Sequence, residues 1–158
     1  MCAVLAIFAA ACGSNSTPTS TESAGGPIGV TVTGQPGARP TITISDQSPP
    51  TTLRIQDVVV GSGVEAVSGE TVTVQYVGMA WSTKKEFDAS WDAGQPYSFA
   101  LGAGRVIQGW DQGVAGMKVG GRRILVIPPD LGYGAQGYAQ VIGPNETLVF
   151  VVDLVSLG

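Results

Sequence analysis

The chain has 158 residues, of which 44% are hydrophobic and 13% charged, with a formal net charge of −4 and no histidine. That is room for one domain of roughly 100 residues and a tail, with fewer charges than the usual quarter. Scattered basic residues in an acidic chain argue against a nucleic-acid surface, which needs a Lys/Arg cluster; Arg122-Arg123, the one Arg pair, reads as a solvated strand end.

Both cysteines lie in the run Cys2-Ala-Val-Leu-Ala-Ile-Phe-Ala-Ala-Ala-Cys12. The run falls short of the ~20 apolar residues that span a bilayer, but it suits the apolar region of a secretory signal. Ala9-Ala10-Ala11 before Cys12, then Gly13-Ser14, resemble a bacterial lipoprotein signal. That would make Cys12 the lipidated first residue of an extracytoplasmic protein anchored to the cell membrane. Ala9 stands where a larger aliphatic residue is usual, and no basic residue precedes the run, which points to a start upstream of Met1. An ordinary cleaved signal is the competing reading. A Cys2–Cys12 disulfide is disfavoured because both residues belong to the targeting segment.

Residues 1–12 are therefore expected as the signal, 13–50 as a flexible linker and 51–158 as the domain. Ser14-Asn-Ser-Thr-Pro-Thr-Ser-Thr21 and Gly25-Gly-Pro27 cannot bury a core and read as a disordered tether. Gly29-Val-Thr-Val-Thr33 and Pro40-Thr-Ile-Thr-Ile-Ser45 alternate apolar and polar residues, as two short strands would. Whether 28–48 packs on the domain or stays an extended arm is open at this level.

From residue 52 the pattern is mainly strands. Leu53, Ile55 and Val58-Val59-Val60 form one, stopped by Gly61-Ser-Gly63, which reads as a hairpin turn. Val72, Val74 and Tyr76 alternate with Thr71, Thr73 and Gln75, and Tyr97, Phe99 and Leu101 repeat that alternation. Ile124-Leu-Val-Ile127 and Leu148-Val-Phe-Val-Val152 are continuous apolar runs, expected as central strands covered on both faces. Only one segment has helical spacing, with Ile107, Trp110, Val114 and Met117 recurring at three and four residues. Its glycines Gly109, Gly113 and Gly116 weaken it, so packing must hold it. One short helix on an antiparallel sheet is an α+β architecture.

The chemistry open to this domain is narrow. Without histidine or cysteine it can build neither a Ser–His or Cys–His nucleophile nor a zinc centre, and no run resembles an EF-hand loop. Gly61-Ser-Gly63-Val-Glu-Ala66 mimics a dinucleotide fingerprint but leads into a strand, not a helix. Gly102-Ala-Gly104-Arg-Val-Ile-Gln-Gly109 enters the helix but lacks the Lys-Ser/Thr pair of a phosphate loop. No metal and no cofactor are implied.

What the domain has is aromatic residues. All but Phe8 lie between Tyr76 and Phe150. Val74-Gln-Tyr-Val-Gly-Met79, Phe87-Asp-Ala-Ser90, Val106-Ile-Gln-Gly-Trp-Asp-Gln-Gly-Val114, Gly120-Gly121-Arg122 through Ile127-Pro-Pro-Asp130, Tyr133-Gly134 and Thr147-Leu-Val-Phe150 resemble the FKBP-type peptidyl-prolyl cis-trans isomerases. The resemblance covers roughly residues 52 to 158 without a large gap. It implies a twisted antiparallel sheet wrapped around one short α-helix, and rotation of X-Pro bonds as the activity.

Carried over position by position, the resemblance makes Trp110 the floor of a prolyl pocket. Tyr76, Phe87, Tyr97, Phe99, Val106, Ile107 and Phe150 become its walls, and Asp88 the carboxylate at its rim. The Ile107 N–H and the Tyr133 hydroxyl would each donate to a substrate carbonyl, and Tyr138, Val141 and Ile142 belong to the flap. Asp88, Tyr133, Phe87 and Trp110 are thereby the candidate catalytic residues. The implied partners are proline-containing clients among exported proteins and macrolides such as tacrolimus or rapamycin, with the protein a monomer. Ala93 stands where a basic partner for the rim carboxylate is common, Tyr138 where the flap often has histidine, and Leu131-Gly132 where the approach to Tyr133 is usually more aromatic. Trp81 and Trp91 are additional, and read as surface or flap contacts. Two rivals remain open from sequence: a non-catalytic module that holds proline segments or unfolded chains in the same pocket, and an interaction domain that regulates a partner.

Overall fold

Strands β8 (Arg122–Ile127) and β9 (Leu148–Leu157) are the apolar runs of the sequence, and they form the middle of the molecule. The computed structural model describes residues 24, 25 and 28–158. Cys12, the signal and most of the tether fall outside the described residues. Among the described residues the other strands are β1 (Ala24–Gly25), β2 (Val30–Thr33), β3 (Thr41–Ile44), β4 (Arg54–Val59), β5 (Thr71–Ala80), β6 (Glu86–Ala89) and β7 (Tyr97–Ala100). The α-helices are α1 (Ser90–Ala93) and α2 (Gln108–Val114), and Pro129–Leu131 and Gly134–Gln136 form single 3-10 turns.

The main sheet is antiparallel in the order β4-β8-β9-β5-β6, and β7 shares the outer edge of β5 with β6. Every residue of β8 is buried, as are the first seven positions of β9. Their side chains alternate between two separate cores. Leu125, Ile127, Leu148, Phe150 and Val152 face α2, joined by Trp110, Val114, Phe99 and Leu101. Ile124, Val126, Val149 and Val151 face the opposite way. The expected fold, one short helix against an antiparallel sheet, is the one present. The single-turn α1 is the addition, too short to leave a periodic signal.

The glycines of α2 have a packing use. A Cβ at Gly109 would lie 2.5 Å from the Ile127 side chain, and one at Gly113 would lie 2.6 Å from Leu125. Glycine at both positions lets the helix backbone approach β8 closely, so burial offsets a propensity cost of roughly 1 kcal/mol per glycine.

The second core answers the question left open for 28–48. Strands β2 and β3 form a hairpin in register Val30–Ile44 and Val32–Ile42. Ile28, Val30, Val32 and Ile44 pack on Ile124, Val126, Val149 and Val151, with Trp81 buried between them. The Trp81 indole Nε1 donates to the Gln47 carbonyl at 3.2 Å. Trp81 is thus no surface residue, and strands β2 and β3 stand inside the segment expected as linker.

Two further expectations need correction. Gly61-Ser-Gly63 does not turn one strand back onto the next: β4 pairs with β8, and β5 pairs with β9. Nor are Arg122 and Arg123 a solvated strand end, since they are 0% and 8% exposed. Successive side chains on a strand point to opposite faces, and each face supplies acceptors. Arg122 binds Asp153 through Nε (2.5 Å) and Nη2 (2.7 Å), and donates to the Gly34 and Ala38 carbonyls of the β2–β3 turn. Arg123 pairs with Asp57 and donates from Nη1 to the carbonyls of Gly113 and Ala115. Those carbonyls end α2, where a cation suits the negative end of the helix.

Candidate functional site

Trp110 projects from α2 towards the inner face of the sheet and is 4% exposed. Tyr76 on β5 and Phe150 on β9 stand on it edge to face, with ring centroids 5.0 Å and 5.2 Å away and interplanar angles of 83° and 90°. Such T-shaped contacts set the positive edge of one ring against the negative face of another. Phe87 on β6 leans on Phe150 at 5.6 Å, and Tyr97 on β7 stands 6.3 Å from Trp110. The result is a cup of about 300 Å³ lined by Tyr76, Phe87, Asp88, Tyr97, Arg105, Val106, Ile107, Trp110, Tyr133, Tyr138 and Phe150.

Each wall has a local cause. Gly78 lies where a Cβ would come within 2.7 Å of Phe150 and 2.9 Å of Phe87, so the absence of a side chain lets those rings close over β5. Ser90, buried at the start of α1, accepts the Tyr76 N–H at 2.8 Å and ties α1 back to β5. The Asp111 carboxylate accepts the N–H groups of Gly102 (2.8 Å) and Gly104 (3.0 Å), holding the loop that presents Arg105, Val106 and Ile107.

The polar groups sit at the mouth. The Tyr76 hydroxyl donates to Asp88 Oδ2 at 2.6 Å. Burial, then this bond, pushes the Tyr76 hydroxyl well above the ordinary tyrosine range, so it stays a donor. Tyr133 is raised too, by burial first and then by neighbouring Tyr138, Asp88 and Tyr97. Tyr133 and Tyr138 lie ring against ring at 5.0 Å. Among the described residues neither the Ile107 N–H nor the Tyr133 hydroxyl has a protein acceptor, and the Trp110 indole Nε1 is buried without one. The cup therefore offers apolar walls, a tyrosine–carboxylate pair and unengaged donors.

Three expected residues stand elsewhere. Phe99 packs behind Trp110 at 5.5 Å and supports the floor from below. Ile142 is buried in the helix-side core, and Val141 is 56% exposed. The loop carrying them is closed by reciprocal Tyr138–Ile142 backbone hydrogen bonds; the Tyr138 side chain lines the cup, while Ile142 packs in the helix-side core. Arg105 was missed by sequence reasoning; its only signal is its place just before Val106-Ile107. A larger cleft of about 470 Å³ lies between Ser45–Gln47, Trp81–Lys84 and Pro144–Thr147. Two of its polar pairs close on each other, Ser82 with Glu146 and Lys84 with Asp46, and none of its lining residues belongs to the aromatic cup.

Residues 63–155 match the family model of the FKBP-type peptidyl-prolyl cis-trans isomerases. The chain belongs to that family. This family carries peptidyl-prolyl isomerase activity, and the aromatic cup lies wholly within the matched residues. Relatives include an FK506-binding protein of Streptomyces anulatus, 54% identical over 120 residues that make up 75% of this chain and 97% of that protein. A probable FK506-binding protein of Corynebacterium glutamicum is 46% identical over 118 residues, 75% of this chain and 98% of that protein. Among solved structures, AtFKBP13 superposes with a TM-score of 0.63 at 38% identity, covering 67% of this chain and 93% of that one. FkpA from Escherichia coli gives 0.61 at 44% identity, covering 66% and 47%. The β2–β3 hairpin lies before the first residue that the family model matches.

Proposed function

We propose that this isomerase rotates X-Pro bonds in exported polypeptides while held at the outer face of a membrane by lipid on Cys12. Rotation about an amide costs roughly 18–20 kcal/mol because twisting breaks resonance, and X-Pro bonds exchange unaided over tens to hundreds of seconds. The twisted amide has a smaller C–O dipole than the planar one, so a dry apolar cup favours it over water. The proline ring rests on Trp110 between Phe87, Tyr97 and Phe150. The Ile107 N–H and the Tyr133 hydroxyl take flanking carbonyls, and Asp88 fixes the Tyr76 ring through its hydroxyl. No covalent bond forms and no proton transfers. Each 1.36 kcal/mol of preference for the twisted state is tenfold in rate.

The observation that carries this reading is the buried Trp110 floor ringed by edge-on aromatics, with two unengaged donors at the mouth. The names of the relatives support a second property of the same cup, binding of macrolides such as tacrolimus or rapamycin. The test is exchange spectroscopy of an apolar-residue-Pro peptide with the full chain, which needs no coupling protease. Acceleration that excess macrolide abolishes is expected. Macrolide binding without acceleration would replace catalysis by simple capture of proline segments. For the anchor, labelling with a fatty-acid analogue in a bacterial host is expected to mark the wild type and spare Cys12→Ala; unlabelled protein released to the medium would leave plain secretion.

A further inference from the structure

The β2–β3 turn reaches around the sheet to the element that carries two pocket residues. Arg39, at the end of that turn, donates from Nη1 to Asp92 Oδ1 at 2.5 Å and from Nη2 to Glu86 Oε1 at 2.6 Å. Glu86 opens β6 and Asp92 lies in α1; Phe87 and Asp88 stand between them in the chain. Among the described residues β6 is an edge strand, paired with β5 alone and through Val77–Ala89, Gly78–Asp88 and Met79–Glu86, with a register shift between Gly78 and Met79. A short, irregular edge strand needs support that its own ladder does not supply.

The hairpin side of the contact is anchored by buried polar groups. Beneath the turn, Arg122 holds the Gly34 and Ala38 carbonyls, and the Gly37 N–H donates to Asp153 Oδ2 at 2.9 Å. These contacts are built on the buried Arg122–Asp153 pair. Arg39 therefore extends from a fixed base to two carboxylates on two elements. Both carboxylates raise the Arg39 pKa, Asp92 more than Glu86, and Arg39 in turn lowers that of Asp92. Without Arg39 the two acids would lose the cation between them, and their repulsion would act to spread β6 from α1.

We propose that Arg39 is a positioning residue for the prolyl pocket, clamping β6 and α1 to the N-terminal hairpin and so setting the wall made by Phe87 and Asp88. The proposal rests on the reading of this cup as the prolyl site. It gives the hairpin, which lies before the residues matched by the family model, a second role besides covering the sheet. By linkage, occupancy of the cup must tighten the turn as much as the turn tightens the cup.

The experiment uses the full chain with Arg39→Gln and, separately, the double variant Glu86→Gln/Asp92→Asn. In Arg39→Gln the KM for a proline peptide rises about threefold, the scale of exposed ion pairs, and kcat changes less. The double variant, which loses the clamp but also the repulsion, shows a smaller rise. In wild-type protein, saturating macrolide slows amide exchange at Gly37 and Arg39, and in Arg39→Gln that slowing disappears. A purely structural Arg39 would lower the melting temperature while leaving KM and the ligand effect on the turn intact, and that result overturns the clamp. A wild type that neither isomerises the peptide nor binds macrolide removes the functional reading. A wild type that isomerises while Arg39→Gln matches it in KM removes only the clamp.

Discussion

Arg122 and Asp153 face each other across β8 and β9 with side chains 0% and 6% exposed, and together they hold the turn of the N-terminal hairpin. Removing one partner leaves a buried charge uncompensated, which costs roughly 3–5 kcal/mol. Arg122→Ala is therefore expected to lower unfolding free energy by about that amount and to free the Gly34 and Ala38 carbonyls. Replacing both residues with apolar ones of similar volume should cost much less, because no lone charge remains. Denaturant unfolding of the two variants measures the difference, and equal losses would mean that the lone buried charge adds nothing beyond the hydrogen bonds that both variants lose.

The hairpin sets where the domain can be cut. A fragment of residues 51–158 uncovers Ile124, Val126, Val149, Val151 and Trp81 on one face of the sheet. Burying each such aliphatic side chain contributes roughly 1.5–3 kcal/mol as an upper estimate. The fragment is expected to unfold at a clearly lower temperature than residues 28–158 and to associate through the bared face, while the longer fragment behaves like the full chain. Melting curves and light scattering of the two fragments test this; equal melting temperatures would show that the hairpin adds nothing to the fold.

Much of this protein was legible in its sequence, for local reasons. The α2 stripe of Ile107, Trp110 and Val114 and the apolar runs of β8 and β9 depend on neighbours a few residues away. The β4–β8 pairing and the burial of Arg122 do not: the Gly34 carbonyl that Arg122 reaches is 88 positions distant. Alternation in Val30-Thr-Val32 reveals that one face is buried but not which surface receives it. The same limit governs the cup. Tyr76, Phe87, Tyr97, Trp110 and Phe150 were legible by motif, whereas the burial of Ile142 in the helix-side core beside an exposed Val141 has no composition signal.

The floor and the wall of the cup should respond differently to truncation. Trp110→Ala empties the centre of an aromatic cluster and is expected to weaken macrolide binding by a few kcal/mol, the range for truncating a buried anchor. It also removes the surface on which Tyr76 and Phe150 stand, so stability falls with affinity. Phe87→Ala opens one side only, and should raise KM and lower kcat with a smaller stability loss, since Phe87 is half-buried and touches chiefly Phe150. Titration calorimetry beside thermal unfolding separates the two. Unchanged macrolide affinity in Trp110→Ala would move the binding site elsewhere.

The pH dependence follows from which groups are present and which way they are shifted. With no histidine in the chain, no side chain of that ordinary range titrates between pH 6 and 8. The two hydroxyls at the mouth, Tyr76 and Tyr133, are both raised above the usual tyrosine value of ~10. Their neutral donor forms therefore persist through the neutral and mildly alkaline range. The sign for stability is the same. A folded-state pKa above the unfolded one stabilises fully below the unfolded value, and that contribution is lost as pH rises from about 10 towards the folded value. Isomerisation of a proline peptide is thus expected to be flat from about pH 6 to 8, with activity and stability declining together only at strongly alkaline pH. Asp88→Leu, which leaves the Tyr76 hydroxyl without its acceptor, should cut the rate modestly and keep the flat profile, because Asp88 orients Tyr76 and exchanges no proton with substrate. Exchange spectroscopy across the range is the measurement. A bell-shaped profile inside it would demonstrate general acid–base chemistry and rule out rotation by desolvation of the amide.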